Sequence, residues 1–264
     1  MMEMYQYQQK PYNLILSDLC HVINDVIPDT IGIYLHGSLA MNCHNLKKSD
    51  IDIIVVFGAD LKLKSELRFL IEQIMNIESK YDTSIEISIV SKGSLSNFIH
   101  PSRFIIHYSK LHRERYLNDP DYFCGWDVDP DLAAHFYMIQ QRGVALCGQQ
   151  IISLFIGEYE KAYWNSVLSD ISCDFDEAIE NKVYYVLNYC RTLMYKDEGK
   201  VGSKLEGGLW ALDHLEIKFK SLVGSAIRVY KSEIQEEIDL TEFKKFREYV
   251  LTLCGINLGE KNPI

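Results

Sequence analysis

Apolar residues along the first ninety positions alternate between helical and strand-like spacing. Leu16, Leu19, Cys20, Ile23 and Ile27 recur at intervals of three and four, which predicts one apolar helix face ending at Pro28. Ile31–Leu35 and Ile51–Phe57 are β-branched and aromatic runs, broken by His36-Gly37-Ser38 and by Gly58, and read as two buried strands bracketing a polar connection. Leu63, Leu67, Leu70, Ile74 and Ile77 mark a second helix. Ser84–Val90 reads as a third strand, with Ile85, Ile87 and Ile89 on one face and Glu86 and Ser88 on the other. From Asp131 onward helical spacing dominates, in Leu132–Cys147, in Val183–Tyr195 and in the series Phe243, Phe246, Val250, Leu253. This change of pattern predicts an α+β chain of two domains, residues 1–155 mixed and residues 156–264 all-helical. No internal repeat, low-complexity tract or Pro/Gly/Ser-rich linker marks the boundary.

With 264 residues, 47% hydrophobic and 24% charged, the chain has enough material for two ordinary cores and is neither disordered nor fibrous in composition. Its 27 Lys+Arg against 37 Asp+Glu give a formal charge of -10, which argues against a nucleic-acid partner and suits small or cationic ligands. The seven cysteines are scattered, odd in number and never in a C-x-x-C arrangement, so neither a zinc knuckle nor a disulfide framework is expected. The polar, glutamine-rich stretch Met1–Tyr12 and the shortness of the longest apolar run, Ile53–Phe57, predict a cytoplasmic protein with no membrane contact, and a monomer is the favoured assembly.

Candidate chemistry concentrates in IGIYLHGSLAMNCHNLKKSDIDIIVVF. On a strand, residues i and i+2 share a face about 6.6–6.8 Å apart, so the carboxylates of Asp50 and Asp52 converge while Ile51 enters the core. Two such charges about 4 Å apart at an effective dielectric near 20 repel by about 4 kcal/mol, so a convergent pair is protonated, solvated or bridged by a cation. For hard oxygen ligands magnesium is the natural cation. A D-x-D pair is also what a strand entering the core from a solvated turn looks like; three companions favour the metal. Gly37-Ser38 leaves a strand where a small residue lets backbone amides approach an anion. Ser49 adds a hydroxyl beside Asp50. Glu86 either faces solvent on an edge strand or faces the same point as the two aspartates.

A G-S pair, twelve residues from Ser38 to Asp50, a D-x-D on a strand and an acid on a later strand resemble the DNA polymerase beta type nucleotidyltransferases. More closely, Tyr34–Phe57, Ile85–Val90, Asp129–Phe136 (DPDLAAHF) and Leu187–Lys204 are similar to segments of the bacterial aminoglycoside adenylyltransferases that modify streptomycin and spectinomycin. That resemblance implies an N-terminal mixed sheet flanked by helices, a C-terminal helical bundle, and transfer of AMP from the co-substrate ATP to a drug hydroxyl. Asp50 and Asp52 would hold magnesium, as two ions, on the ATP phosphates. Glu86 would be the general base and touch the second ion. Gly37, Ser38 and Ser49 would face the phosphates. Arg191 and Lys204 match the family's triphosphate contacts, and Tyr230 is the candidate for packing on adenine. Arg191 also stands out unaided, since a guanidinium in the apolar helix LNYCRTLMY is costly unless it meets an anion, an ion-pair partner or a solvated edge.

The acid-rich stretch Asp174–Glu180 reads as the solvated start of a helix that also suits ammonium groups of a cationic small-molecule substrate. Streptomycin-accepting relatives carry a tryptophan in the segment matching Tyr108–Glu114 and an aspartate about ten residues before the helix arginine. Here the first reads YSKLHRE and the second position is Asn181, with Glu177 and Glu180 nearby as replacement acids, so spectinomycin is favoured over streptomycin. Trp126, Trp164 and Trp210 are expected in core or interdomain packing, and His107, His112 and His135 as structural histidines. Alternatives are a different acceptor, such as another small molecule, a protein or a tRNA end as in toxin–antitoxin systems, or a non-catalytic nucleotide-binding module.

Overall fold

The computed structural model describes residues 11–45, 48–58, 64–231 and 236–256. By internal contacts the chain divides into two compact units, residues 1–163 and 164–264. No helix among the described residues is long and apolar enough to cross a membrane.

The first unit is built on a six-stranded sheet. Helix α1 (Tyr12–Val26) buries Ile15, Leu16, Leu19, Cys20 and Ile23, the positions that its three-and-four spacing sets on one side. Strand β1 (Thr30–His36), the single-turn helix α2 (Gly37–Ala40), strand β2 (Asp50–Phe57), helix α3 (Lys64–Tyr81) and strand β3 (Ser84–Ser91) follow. Of the positions expected to form α3, Leu63 lies outside the described residues. Then come α4 (Lys92–Ser96), β4 (Ser102–Tyr108), a 3-10 turn at Lys110–His112, α5 (Arg113–Asn118), β5 (Gly125–Asp129), α6 (Leu132–Arg142), β6 (Val144–Gly148) and α7 (Ile151–Leu154). The strand order is β5-β4-β3-β2-β1-β6. Only β2 and β3 run parallel, joined through α3; every other neighbouring pair is antiparallel.

Alternation along the strands separates two faces. Ile33, Leu35, Ile51, Ile53, Val55, Ile85, Ile87, Ile89 and Ile106 form one core with α1 and α3. Tyr34, His36, Asp52, Ile54, Glu86 and Ser88 point to the opposite face, where the Tyr34 ring meets Phe155 edge-on at 4.9 Å. Glu78, 5% exposed on α3, accepts hydrogen bonds from the Ile85 amide (2.9 Å), the Tyr108 hydroxyl (2.6 Å) and Arg113 (2.5 Å), which fastens α3 to β3 and β4.

Two expectations change. Leu132–Cys147 is not one helix: it breaks at Gly143, and the Val144–Gly148 run becomes β6, which pairs with the otherwise unpaired edge of β1. Trp126 is no core residue, being 46% exposed at a positive φ of 56°, its ring 4.5 Å from Phe123.

The regular elements of the second unit are, among its described residues, all helices: α8 (Glu160–Ile171, which starts in the first unit), α9 (Phe175–Glu180), α10 (Lys182–Glu198), α11 (Lys204–His214), α12 (Ile217–Lys231) and α13 (Leu240–Leu253). Helix α10 is its spine, burying Tyr185 to Cys190 without interruption against Phe219, Val223, Phe243 and Phe246. A helix apolar on every side belongs in the middle of a bundle.

Candidate active site

Asp50 and Asp52 are the first and third residues of β2 and are half-buried, with Ile51 fully enclosed between them. Strand β3 lies beside them in parallel register, pairing Asp50 with Ser84 and Asp52 with Glu86. Adjacent strands are about 4.8 Å apart, so Glu86 and Asp52 are immediate neighbours on one face. Strand β3 is interior, between β2 and β4, so the solvent-facing edge position for Glu86 does not apply. His107 on β4 pairs with Ser88 and bonds its hydroxyl at 2.8 Å; burial pushes the His107 pKa down while the charge of Glu86 works against it.

On the other side of β2, His36 ends β1 opposite Asp52. Gly37 follows at φ +64°, a conformation L side chains rarely adopt. A β-carbon there would lie 1.7 Å from Asp52 Oδ2, so glycine is required both by the turn and by the aspartate that packs on it. The Ser38 hydroxyl is buried without a protein partner, as are His36 Nδ1 and the Thr83 hydroxyl beside Ser84. Buried polar atoms are almost always satisfied, so these three at one end of the sheet are positions where a water or a ligand completes the bonding. His36 is 3% exposed, its ring 4.8 Å from His135, and burial holds it well below the usual histidine pKa. Ser49 accepts the Asn45 amide at 3.3 Å. A cavity of about 500 Å³ opens beside Asp50 toward the end of α3, lined by Ser49, Asp50, Glu78, Asp82, Thr83 and Arg113 among others; Asp52, Glu86, Gly37 and Ser38 are not among its lining residues.

Among the described residues no three His, Cys, Asp or Glu side chains stand close enough together to cage an ion alone. Magnesium does not need such a cage: it keeps several waters and is commonly held by one or two carboxylates plus substrate phosphates. The donor set of Asp50 and Asp52, beside an orphaned serine hydroxyl, fits a metal that arrives with a nucleotide.

In the second unit Arg191 lies on α10, its Nε donating to Asn188 and its Nη2 3.9 Å from Asp170 of α8. Asn188 in turn donates to Asp170, and the Tyr184 hydroxyl reaches the same carboxylate at 3.3 Å. Lys204, the first residue of α11 after the Ser203–Glu206 capping box, has its Nζ 4.2 Å from the centre of the Tyr184 ring. Arg191 and Lys204 therefore join one cluster through Asp170, Tyr184 and Asn188, none of which the sequence reading singled out. The nearest signal was the i, i+3 spacing of Asn188 and Arg191 in an apolar helix. Tyr230 is half-buried against the bundle core. Glu177 is exposed and accepts the Tyr185 hydroxyl at 2.9 Å; Glu180 and Asn181 are exposed at the α9–α10 junction. The acid that meets Arg191 is Asp170.

Residues 22–106 match the nucleotidyltransferase domain family, and residues 157–255 match the family described as aminoglycoside adenylyltransferase, C-terminal domain. No curated protein matches the chain. Among solved structures, spectinomycin adenyltransferase AAD(9) from Enterococcus faecialis, crystallised with ATP and spectinomycin, is similar over 90% of this chain and 97% of its own, with TM-score 0.74 and 18% identity, a likeness of fold. A toxin–antitoxin complex with AMP-PNP covers 60% of this chain and 98% of its own at 18% identity, but a TM-score of 0.31 supports no inference. With residues 22–106 matching the one family and residues 157–255 the other, the chain belongs to the nucleotidyltransferases, in the branch of the aminoglycoside adenylyltransferases.

Proposed function

We propose that the protein transfers AMP from ATP to a hydroxyl of an aminocyclitol or aminoglycoside antibiotic, with spectinomycin favoured over streptomycin, and so confers resistance. The observation that carries this reading is the register of Asp52 with Glu86 on adjacent strands, with Asp52 packed on Gly37 and the unpartnered Ser38 hydroxyl next in the chain. Asp50 and Asp52 hold magnesium; when bound it neutralises phosphate charge as the α-phosphorus is attacked. Ser38, Ser49 and the amides of the Gly37 turn donate to the phosphates. Glu86 accepts the proton of the acceptor hydroxyl, whose oxygen forms the new bond to the α-phosphorus as pyrophosphate leaves. Arg191 and Lys204 spread the triphosphate charge, and Tyr230 packs on the adenine. Glu177, Glu180 and Asn181 face the cationic acceptor. Support for the acceptor class comes from the C-terminal domain family and from the fold shared with an enzyme crystallised with spectinomycin. That Asn181 stands where streptomycin-accepting relatives carry aspartate favours spectinomycin.

The test is Glu86→Ala, assayed by the mass gain of spectinomycin incubated with ATP and magnesium. Transfer should be abolished while magnesium-dependent ATP binding, read by calorimetry, stays within about threefold, because the base acts on the acceptor rather than on the nucleotide. A variant that still transfers AMP at near wild-type rate would show that Glu86 is not the base.

A further inference from the structure

The Arg191 guanidinium is oriented by other side chains of its own unit. Asn188 is 1% exposed, so both ends of its amide must find partners inside the protein. Its Nδ2 donates to Asp170 and its Oδ1 receives Arg191 Nε, so the Asp170 carboxylate fixes which way the amide faces and the amide fixes the plane of the guanidinium. We propose that Asp170 and Asn188 are positioning residues that hold Arg191 ready for the triphosphate, an inference that rests on the reading of Arg191 as a triphosphate contact.

Three features favour positioning over a plain ion pair. The Arg191 and Asp170 side chains are 25% and 34% exposed and 3.9 Å apart, a separation and exposure at which a pair contributes little to stability. The backbone cannot adjust in their place: a β-carbon on Gly207 of α11 would lie 2.5 Å from the N and Cα of Arg191, so the two helices touch main chain to main chain there. The same carboxylate also receives the hydroxyl of Tyr184, the ring that carries Lys204, so both cations proposed for the triphosphate are anchored on one acid. Arginine's fork is directional and Asn188 and Asp170 engage Nε and Nη2, so the orientation they set decides how many of the other N–H groups could reach phosphate oxygens. Asp170 also repels phosphate, but the guanidinium beside it screens that repulsion, and the loss of orientation outweighs it.

The experiment is calorimetric titration of ATP with magnesium into the full chain, for wild type, Asp170→Asn, Arg191→Ala and the double variant, with a melting curve for each. Asp170→Asn should weaken ATP binding about tenfold, or about 1.4 kcal/mol, with little change in melting temperature and no change in affinity for the acceptor. Asp170→Glu should recover most of the loss, which keeps the test sound if the asparagine variant folds poorly. In the Arg191→Ala background the Asp170 change should add nothing, because it acts through the arginine. Effects that multiply in the double variant would overturn the proposal. So would wild-type or tighter ATP affinity in Asp170→Asn, or a loss confined to the acceptor. Arg191→Ala binding ATP like wild type would sink the reading of Arg191 itself and this proposal with it; a weakened Arg191→Ala beside an intact Asp170→Asn would sink this proposal alone.

Discussion

Replacing Gly37 by alanine should separate chemistry from stability. The residue sits at φ +64°, where an L side chain costs about 1–2 kcal/mol. The added methyl would also fall 1.7 Å from Asp52 Oδ2, 2.6 Å from its Cγ and 3.1 Å from its Cβ. To restore an ordinary contact the carboxylate must retreat by roughly 2 Å. A half-buried aspartate near the start of a strand can turn its carboxylate aside at a cost in folding that is modest beside the loss of function. In the metal-holding role proposed for it, it cannot, since misplacement of about 1 Å at a reacting centre costs on the order of a hundredfold in rate. Gly37→Ala should therefore lower kcat/KM for AMP transfer by a hundredfold or more, while the melting temperature falls by only about 2–8 °C, the range for about 1–2 kcal/mol in a chain of this size. The control is Gly199→Ala: φ is +66° at the end of α10, but a β-carbon there meets nothing within 4 Å. That variant carries the same backbone strain without touching an active-site group, and should lose stability but no activity. Transfer by folded Gly37→Ala within about threefold of wild type would refute the argument, because Asp52 would then be free to move without consequence.

Glu78→Ala removes a buried carboxylate that receives three hydrogen bonds and leaves their donors unpaired, so urea unfolding should show a loss of about 3–5 kcal/mol; a loss below about 1 kcal/mol would mean that water replaces it. For His36, burial lowers the folded-state pKa, so the unfolded chain binds a proton that the folded one refuses. Stability is thus complete above the unfolded value of roughly 6.5 and falls as pH drops below it, by up to about 1.4 kcal/mol per pH unit. His36→Gln should reduce that slope by one histidine's worth, the lowered His44, His107 and His112 accounting for the rest; an unchanged slope between about pH 6.5 and 5 would show that His36 is not the neutral buried group described.

What was legible in the sequence was what local periodicity encodes. The Asp50-Ile51-Asp52 alternation fixed both carboxylates on one face, and Ile85, Ile87 and Ile89 fixed Glu86 on the opposite face from the core, because side-chain direction on a strand follows from parity alone. That Glu86 lies in register with Asp52 required the strand order, which parity does not contain. Strands β4 to β6 escaped for related reasons. Ser102–Tyr108 carries an arginine and a histidine among its apolar residues, and Val144–Gly148 follows a helix whose spacing runs smoothly into it. The edge strand exists because β1 needs a partner, a demand made by another part of the chain.

Arg191, proposed for the triphosphate, shows the same boundary more sharply. A guanidinium in LNYCRTLMY announces that something must neutralise it, but the sequence names no partner; the acids nearest in sequence, Glu177 and Glu180, are the ones read for a cationic substrate. Both are exposed, and Glu177 is bound to Tyr185, at the junction where α9 ends at Glu180 and α10 starts at Lys182. Asp170 lies twenty-one positions before Arg191, on a third helix, and reaches it because α8 packs beside α10. Sequence distance is a poor guide to which acid meets a given cation in a bundle, since the contacts that matter are set by which helices pack side by side. The more reliable local clue was Asn188, a polar amide one turn from the arginine inside an otherwise apolar helix. An amide is kept in such a place only if both its ends are bonded, so its presence already implied a second polar partner beyond the arginine, approaching from another element.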